Sequence, residues 1–491
     1  MSVPQRFNLF DFSKPNIRTL HLGWFAFFVS FMVWFAHAPL MPFIREALQL
    51  TDLQAKILLT LNVALTIPAR IVVGMLVDRY GPRIMFASIL VLGGIISILF
   101  AMAQTYEQLA FMRFLAGFVG AGFVVGIRLI AEWFPARQTG LAQGIYGGWG
   151  NFGSAGAAGL LPIIATSVGG ADGWRYGVVT AGVIAIVYGF IYYWRVRNTP
   201  KGSTYFKPKK TGAMEVSSGF DLFLYIIANI PMYAALAVLT WKLSPAGMKL
   251  LSETVANSIY AVLLATYLVQ VWQIWKVNAH ILKEPVPMLQ RYSFTQVAIL
   301  NLAYMVTFGT ELAVVSMLPM FYVDMFGLDK VTAGLLAGSY AVINLVARPM
   351  GGLISDKYGR KITLLVVFVG IALSFTVLGQ VNNEWSVLMV IGAATLGGIF
   401  SKAGSGAVYA MVPLIQRRLT GQIAGMSGAY GNVGGVTFLT VLAMVSTPVF
   451  FLTIAGVAAA VLVMIALFLR EPSGTMVEVL PDGTVQMIEV K

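Results

Sequence analysis

The chain contains no cysteine. Disulfide scaffolds, thiolate metal sites and iron–sulfur clusters are therefore excluded. Histidine is nearly as scarce, and His21, His37 and His280 are too scattered to suggest a metal cluster. Charge is thin as well. Only 11% of the 491 residues are charged, against about 25% in a soluble domain, so the chain belongs in lipid. No signal-peptide pattern precedes the first apolar run, which follows Asp11 and Lys14. The short alternating segments of a membrane β-barrel are missing. No nucleophile–base constellation points to an enzyme, and no cofactor is expected.

What the chain has in quantity is apolar sequence. Hydrophobic residues make up 58% of it, in runs of about twenty that recur from end to end. The net charge of +13 falls mainly in alternate loops: Arg79 and Arg83; Arg137; Arg195, Arg197, Lys201, Lys207, Lys209 and Lys210; Lys357, Arg360 and Lys361; Arg417 and Arg418. The positive-inside rule then puts both termini and the central connection in the cytoplasm of a multi-pass protein of the cytoplasmic (inner) membrane. Nucleic acid is not needed to explain the basic balance.

The runs give an all-α polytopic protein. Six spans lie at roughly 18–40, 56–77, 84–104, 108–132, 139–166 and 174–194, and six more at roughly 293–322, 331–354, 361–380, 385–411, 420–446 and 448–469. The expected units are an N-terminal six-helix bundle (1–197), a central connection (198–291), a C-terminal six-helix bundle (292–470) and a cytoplasmic tail (471–491). The connection holds two further apolar stretches, Leu222–Trp241 and Val255–Trp275, each long enough to span although Asn229, Pro231, Asn257, Gln270 and Gln273 weaken them. Twelve spans plus two is the favoured plan, with two interfacial helices as the alternative. The tail alternates around Pro481-Asp482-Gly483, which suits a small hairpin or disorder equally.

Two motifs return in both halves. Arg70 sits inside an apolar segment, eight residues before Asp78, which is about 12 Å of helix and near the middle of a ~30 Å hydrocarbon core. Arg348 precedes Asp356 by the same spacing. An arginine so deep costs about 2.5–3.5 kcal/mol even on lenient insertion scales, so a repeated one points to a ligand. Gly147-Gly148-Trp149-Gly150-Asn151-Phe152-Gly153 reappears as Gly428-Ala429-Tyr430-Gly431-Asn432-Val433-Gly434. The shifts, 278 residues for the arginines and 281 for the asparagines, indicate an internal duplication. Close helix packing explains most of these glycines. It does not explain Asn151 and Asn432, whose amides suit a small oxyanion in a narrow groove.

The loops from Gly74 through Asp78 and Arg79 to Gly81, and from Gly352 through Asp356 to Gly359, resemble the signature of the major facilitator superfamily. By that resemblance Gly74, Asp78, Arg79, Gly352 and Asp356 have structural and gating roles. The paired Gly-x-x-Gly-Asn-x-Gly segments, Arg70 in Ile67-Pro68-Ala69-Arg70, Trp34-Phe35 and Phe308-Gly309-Thr310-Glu311-Leu312 resemble the nitrate/nitrite porter family within it. The resemblance covers both halves but not the central insertion. It implies that Arg70 and Arg348 grip the anion from opposite halves. Asn151, Asn432, Tyr304, Gly147 and Gly428 would complete the cage, with Phe35, Phe123 and Phe308 as flat walls. A planar guanidinium fork suits a planar monoanion better than an ammonium does.

Each residue also has a plainer role. Arg70 could pair with a carboxylate, Tyr304 divides evenly between core packing and donation to the anion, and the phenylalanines could be core filling. Arg128 and Glu132, four apart on one helix, suit a structural pair. Lys402 is expected near a helix end or in a structural pair, and His37 as a hydrogen-bonded interior residue. Uptake of an anion against an inside-negative potential costs about 2.3 kcal/mol per charge per 100 mV, so net import needs protons. Glu311 is the first candidate to carry one and Glu132 the second. The expectation is a monomeric, proton-coupled nitrate or nitrite importer working by alternating access. Nitrate/nitrite exchange, a carrier of another small anion such as formate or oxalate, and, remotely, a membrane sensor are the alternatives.

Overall fold

The computed structural model describes residues 8–491 other than 135, 171, 204, 206–212, 285, 287–290, 383, 417, 418, 473, 480–484 and 491, and it leaves the side chains of 75, 78, 136–140, 413, 420, 421 and 474–490 undescribed. Lys207, Lys209, Lys210, the side chains of Asp78 and Arg137, Arg417, Arg418 and the Pro481–Gly483 turn thus lie outside the description.

The N-terminal half contains α1 (Pro15–Phe35), α2 (His37–Ala47), α3 (Asp52–Ala64), α4 (Thr66–Tyr80), α5 (Pro82–Ala101), α6 (Tyr106–Ala116), α7 (Gly122–Trp133), α8 (Ala136–Asn151), α9 (Gly153–Val168) and α10 (Gly173–Arg195). Several are two pieces of one long rod: α1 runs into α2, α3 into α4, α6 into α7 through a 3-10 turn at Gly117–Ala121, and α8 into α9. The C-terminal half contains α13 (Phe294–Phe326), α14 (Lys330–Val342), α15 (Asn344–Tyr358), α16 (Arg360–Leu378), α17 (Val387–Met411), α18 (Thr420–Leu442) and α19 (Thr447–Phe468), and between the halves stand α11 (Gly219–Leu243) and α12 (Glu253–Asn278).

Thirteen helices or continuous helix pairs among the described residues are long and apolar enough to cross a membrane, α11 and α12 among them. The fourteenth expected span, α18, does not qualify, because glycines and Asn432 replace the apolar residues a lipid-facing helix would carry. It is an interior helix, packed on α13, α3 and α4. The polar residues of the central insertion face one another: Gln270 Nε2 donates to Asn229 Oδ1 at 2.6 Å, and Tyr233 donates to Gln270 Oε1 at 2.6 Å. Such bonds join helices where the alternative is an unsatisfied amide in hydrocarbon. Tyr430 of α18 donates to the Ala228 carbonyl, and Asp221 accepts from Phe294 N at 2.8 Å, which moors α11 to the C-terminal half. By contrast, only 6% of the apolar window of α12 is buried.

The duplication extends to backbone detail. The α3–α4 rod breaks at Leu65 and its counterpart α14–α15 at Ile343, each five residues before its arginine. Pro68 explains the first break, since it has no N–H for the Ala64 carbonyl. Gly81 and Gly359 end α4 and α15 with φ of 86° and 101°, a region that L side chains rarely adopt. Asp329 accepts from the N–H groups of Val331 and Thr332 at the start of α14, and the Thr332 side chain together with these N–H groups holds its carboxyl below the usual carboxylate range.

The halves meet along α8 against α15, α9 against α14, and α18 against α3 and α4. At one end α2 is pinned to the C-terminal half by ions. Arg45 donates through both terminal nitrogens to the Asp324 carboxylate, one bond measuring 3.0 Å, and Lys330 pairs with Glu46. At the other end Asp356 pairs with Arg360 at 3.1 Å, while Glu471 accepts from the N–H groups of Arg360 and Lys361 at the start of α16. Beyond Glu471 the tail forms β1 (Gly474–Val479) and β2 (Val485–Val490), an antiparallel pair running from Gly474 opposite Val490 to Val479 opposite Val485.

Candidate functional site

Arg70 and Arg348 both point into the protein, with 1% and 3% of their surface exposed. Arg70 Nε donates to the Gly120 carbonyl at 3.3 Å, and its Nη1 donates to the Gly428 carbonyl at 2.5 Å. Arg348 Nη2 donates to the Tyr304 hydroxyl at 2.7 Å. Each guanidinium keeps one buried nitrogen without a partner, Nη2 on Arg70 and Nη1 on Arg348. No carboxylate forms an ion pair with either among the described residues.

Two aromatic rings are common to both arginines. The Phe123 centroid lies 5.1 Å from Arg70 Cζ and 5.8 Å from Arg348 Cζ. The Phe308 centroid lies 5.5 Å and 5.6 Å from the same atoms. The guanidinium carbons therefore cannot be farther apart than the sum of either pair of distances, and they share one ring-walled space. Like charges so close in a low-dielectric interior repel, and the ring faces offset part of that. Tyr304 stacks on Phe308 at 5.1 Å, and Tyr409 stands edge-on to Tyr304 at 5.0 Å and to Phe123 at 5.5 Å.

The glycines close the space from the opposite half. A Cβ on Gly147 would lie 3.4 Å from Arg348 Nε, and one on Gly428 would lie 3.2 Å from Arg70 Nη1. The other repeated glycines mainly pack helices: a Cβ at Gly150 would lie 1.9 Å from Phe27 Cδ1, and one at Gly153 or Gly434 would lie 2.0 Å from the carbonyl oxygen of Phe28 or Met305.

One helical turn away in α13, Glu311 is buried, with 1% exposure. Its Oε1 accepts from Asn151 Nδ2 at 3.2 Å and Asn344 Nδ2 at 2.7 Å, so amides from both halves hold one carboxylate oxygen while Oε2 has no partner. Asn432 differs from its repeat mate. Its amide donates at 2.9 Å to the Gly428 carbonyl in its own helix, the oxygen Arg70 also uses.

Several expected residues lie elsewhere. Phe35 stacks on Phe31 at 4.7 Å and lines a small cavity with Pro39 and Pro319 rather than the arginine space. Glu132 pairs with Arg128 at 2.9 Å near the end of α7, as the i,i+4 spacing implied. Arg79 lies over the Tyr80 ring, and Gly74 and Gly352 make only ordinary contacts. The close helix approach belongs to Gly351, where a Cβ would lie 2.0 Å from the Ala403 carbonyl oxygen. Lys402 is in mid-helix rather than near an end, fully buried, with Nζ 3.4 Å from the Tyr340 ring centroid. Sequence reasoning missed Gly120, Tyr409 and Asn344. Asn344 precedes Arg348 by four residues, hence on the same helix face, which is a readable signal. Nothing in the local sequence marks the other two. No metal-binding cluster occurs among the described residues.

Comparison with known proteins agrees with this architecture. The Major Facilitator Superfamily model matches residues 23–276 and 300–485. A nitrate/nitrite transporter of Nostoc punctiforme is 44% identical over 95% of this chain and 95% of its own length. A second, from Picosynechococcus, is 40% identical over 94% of each chain. A probable nitrate/nitrite antiporter of Thermus thermophilus is 27% identical over 86% of this chain and 84% of its own. Among solved structures, a partially occluded, inward-open xylose transporter from E. coli superposes with a TM-score of 0.61 at 14% identity, over 93% of this chain and 100% of that one. That likeness speaks for the fold alone. With its duplicated helices, paired arginines and asparagine–glycine segments, the chain belongs to the major facilitator superfamily and, within it, to the nitrate/nitrite porter family.

Proposed function

We propose that the protein carries nitrate and nitrite across the cytoplasmic membrane by alternating access, with Arg70 and Arg348 as its anion ligands and Glu311 as a proton carrier. The carrying observation is that two buried guanidinium groups, one from each half, share the Phe123–Phe308 walls and each keep an unpartnered nitrogen. Two such groups beside the same pair of rings suit a small planar oxyanion, which accepts from both forks in its plane. The substrate class follows that of the nitrate/nitrite transporters 44% and 40% identical to it.

Without an anion, two positive charges oppose closure of the halves. A bound monoanion offsets one and bridges the pair, so the loaded protein reorients more readily than the empty one. That alone gives exchange. Net uptake against an inside-negative potential needs compensating protons, and Glu311, held by one amide from each half, is placed to sense both the halves and the anion. The two six-helix units act as rocking bodies of one monomer, α11 and α12 cross the membrane beside them, and both termini face the cytoplasm.

The test is nitrate uptake into proteoliposomes by the parent, Arg70→Lys and Arg348→Lys, with formate and oxalate as competitors. Lysine retains charge but loses the fork. Weakened nitrate affinity in both variants and little competition by the carboxylates support the reading; unchanged affinity in both overturns it.

A further inference from the structure

A third arginine is buried well away from the central site. Arg113 of α6 is 3% exposed, donates through Nη2 to the Trp34 carbonyl at 3.2 Å and lies 5.4 Å from the Phe100 ring centroid. Its Nε has no partner, and no carboxylate pairs with it among the described residues. His37, at the start of α2, is fully buried; the Trp34 carbonyl stands within reach of its ring, but neither ring nitrogen makes a well-formed hydrogen bond. Both side chains line one small cavity with Ser97, Phe100, Ala116 and Val178.

Leaving these groups unsatisfied costs about 1–3 kcal/mol for each buried donor or acceptor, and more for the charged one. Water would complete hydrogen bonds but leave the guanidinium charge unopposed in an apolar bundle. A small anion does both. Arg113 with its unpartnered Nε, His37 and Ser97 all line this one space, each side chain able to donate a hydrogen bond, and the room there is roughly that of a single water-sized body. We propose that this cavity binds one halide-sized monoanion, such as chloride, as a permanent counter-charge to Arg113 inside the N-terminal half. None of the residues that wall the Arg70–Arg348 space line it, so the two sites are separate.

Two measurements on the purified full-length protein test this. In crystals grown with bromide, anomalous scattering should place a peak within hydrogen-bonding distance of Arg113 Nε and His37; a cavity without anomalous signal overturns the proposal. In detergent, the parent's melting temperature should rise by about 1 °C per tenfold chloride above the dissociation constant, compared with gluconate at equal ionic strength. Arg70→Gln should keep that rise, whereas Arg113→Gln and His37→Leu should lose it. If Arg70→Gln abolishes it, halide binds at the central site and the proposal fails. Should Arg113→Gln not fold, His37→Leu and the bromide map still decide. Nitrate uptake by the parent is scored separately, so the substrate reading stands or falls on its own.

Discussion

Arg70 Nη1 donates to the backbone carbonyl of Gly428 across the boundary between the two halves. The reciprocal contact sets Gly147 of the N-terminal half against the Nε of Arg348. Each arginine therefore rests against the glycine of the other bundle, and a change in the angle between bundles must alter both contacts.

Replacing either arginine by lysine removes charge-assisted hydrogen bonds worth about 1.5–3 kcal/mol while leaving a cation. Half-saturation for nitrate should rise roughly 10- to 100-fold in Arg70→Lys and Arg348→Lys, measured by uptake into vesicles. Far-UV circular dichroism should be unchanged in both.

Alanine at the repeated glycines should separate into two classes. At Gly428 the new methyl group presses on the Arg70 guanidinium at 3.2 Å, and at Gly147 it fills the space up to Arg348 at 3.4 Å, so transport falls, more at Gly428, while the melting temperature holds. At Gly153 or Gly434 it meets backbone at 2.0 Å, so the protein loses stability by about 1–3 kcal/mol and elutes poorly on size-exclusion chromatography.

Glu311→Gln keeps an oxygen that can accept from Asn151 and Asn344 but can no longer ionise. Uptake driven by a pH gradient should be lost, and exchange of external nitrate for internal nitrite should persist. Undiminished pH-driven uptake would falsify the coupling role.

The Arg45–Asp324 pair should release when α2 parts from α13. Its side chains are 25% and 41% exposed, so the pair itself contributes no more than about 1 kcal/mol. Because the chain has no cysteine, Arg45→Cys with Asp324→Cys, joined by a short reducible bis-thiosulfonate, gives a cross-link free of background. Cross-linking should stop transport and reduction should restore it; transport that continues in the cross-linked protein rules out separation at this point.

Truncation after Glu471 should leave uptake intact, because Glu471 itself ties the end of the helical body down, through the N–H groups of Arg360 and Lys361. Glu471→Ala in the full chain should instead lower the melting temperature by a few degrees. A truncated protein that transports nothing would favour a regulatory tail over a self-sufficient carrier.

Much of the fold was legible because lipid punishes polar residues, and the exceptions therefore stand out. The depth of Arg70 and Arg348, their shared spacing and the two asparagine–glycine segments each break an apolar background, and the structure gathers most of them. The failures have a common cause. A phenylalanine in an apolar helix carries no mark telling core from pocket, so Phe35 and Phe123 looked alike although only Phe123 faces the arginines. Gly351 and Gly352 are adjacent, and only helix rotation decides that Gly351 meets α17. Lys402 was expected near a helix end or in a structural pair, yet the structure buries its Nζ on a ring face in mid-helix.

The crossed arrangement of glycines and arginines also constrains inheritance. Neither copy of the ancestral repeat holds a complete constellation, since each encodes a cation whose snug fit is specified in the other. A lineage that places a large side chain at position 147 or 428 meets the arginine of the other copy, some two hundred or more codons away. The two segments of the gene are thereby bound to change together.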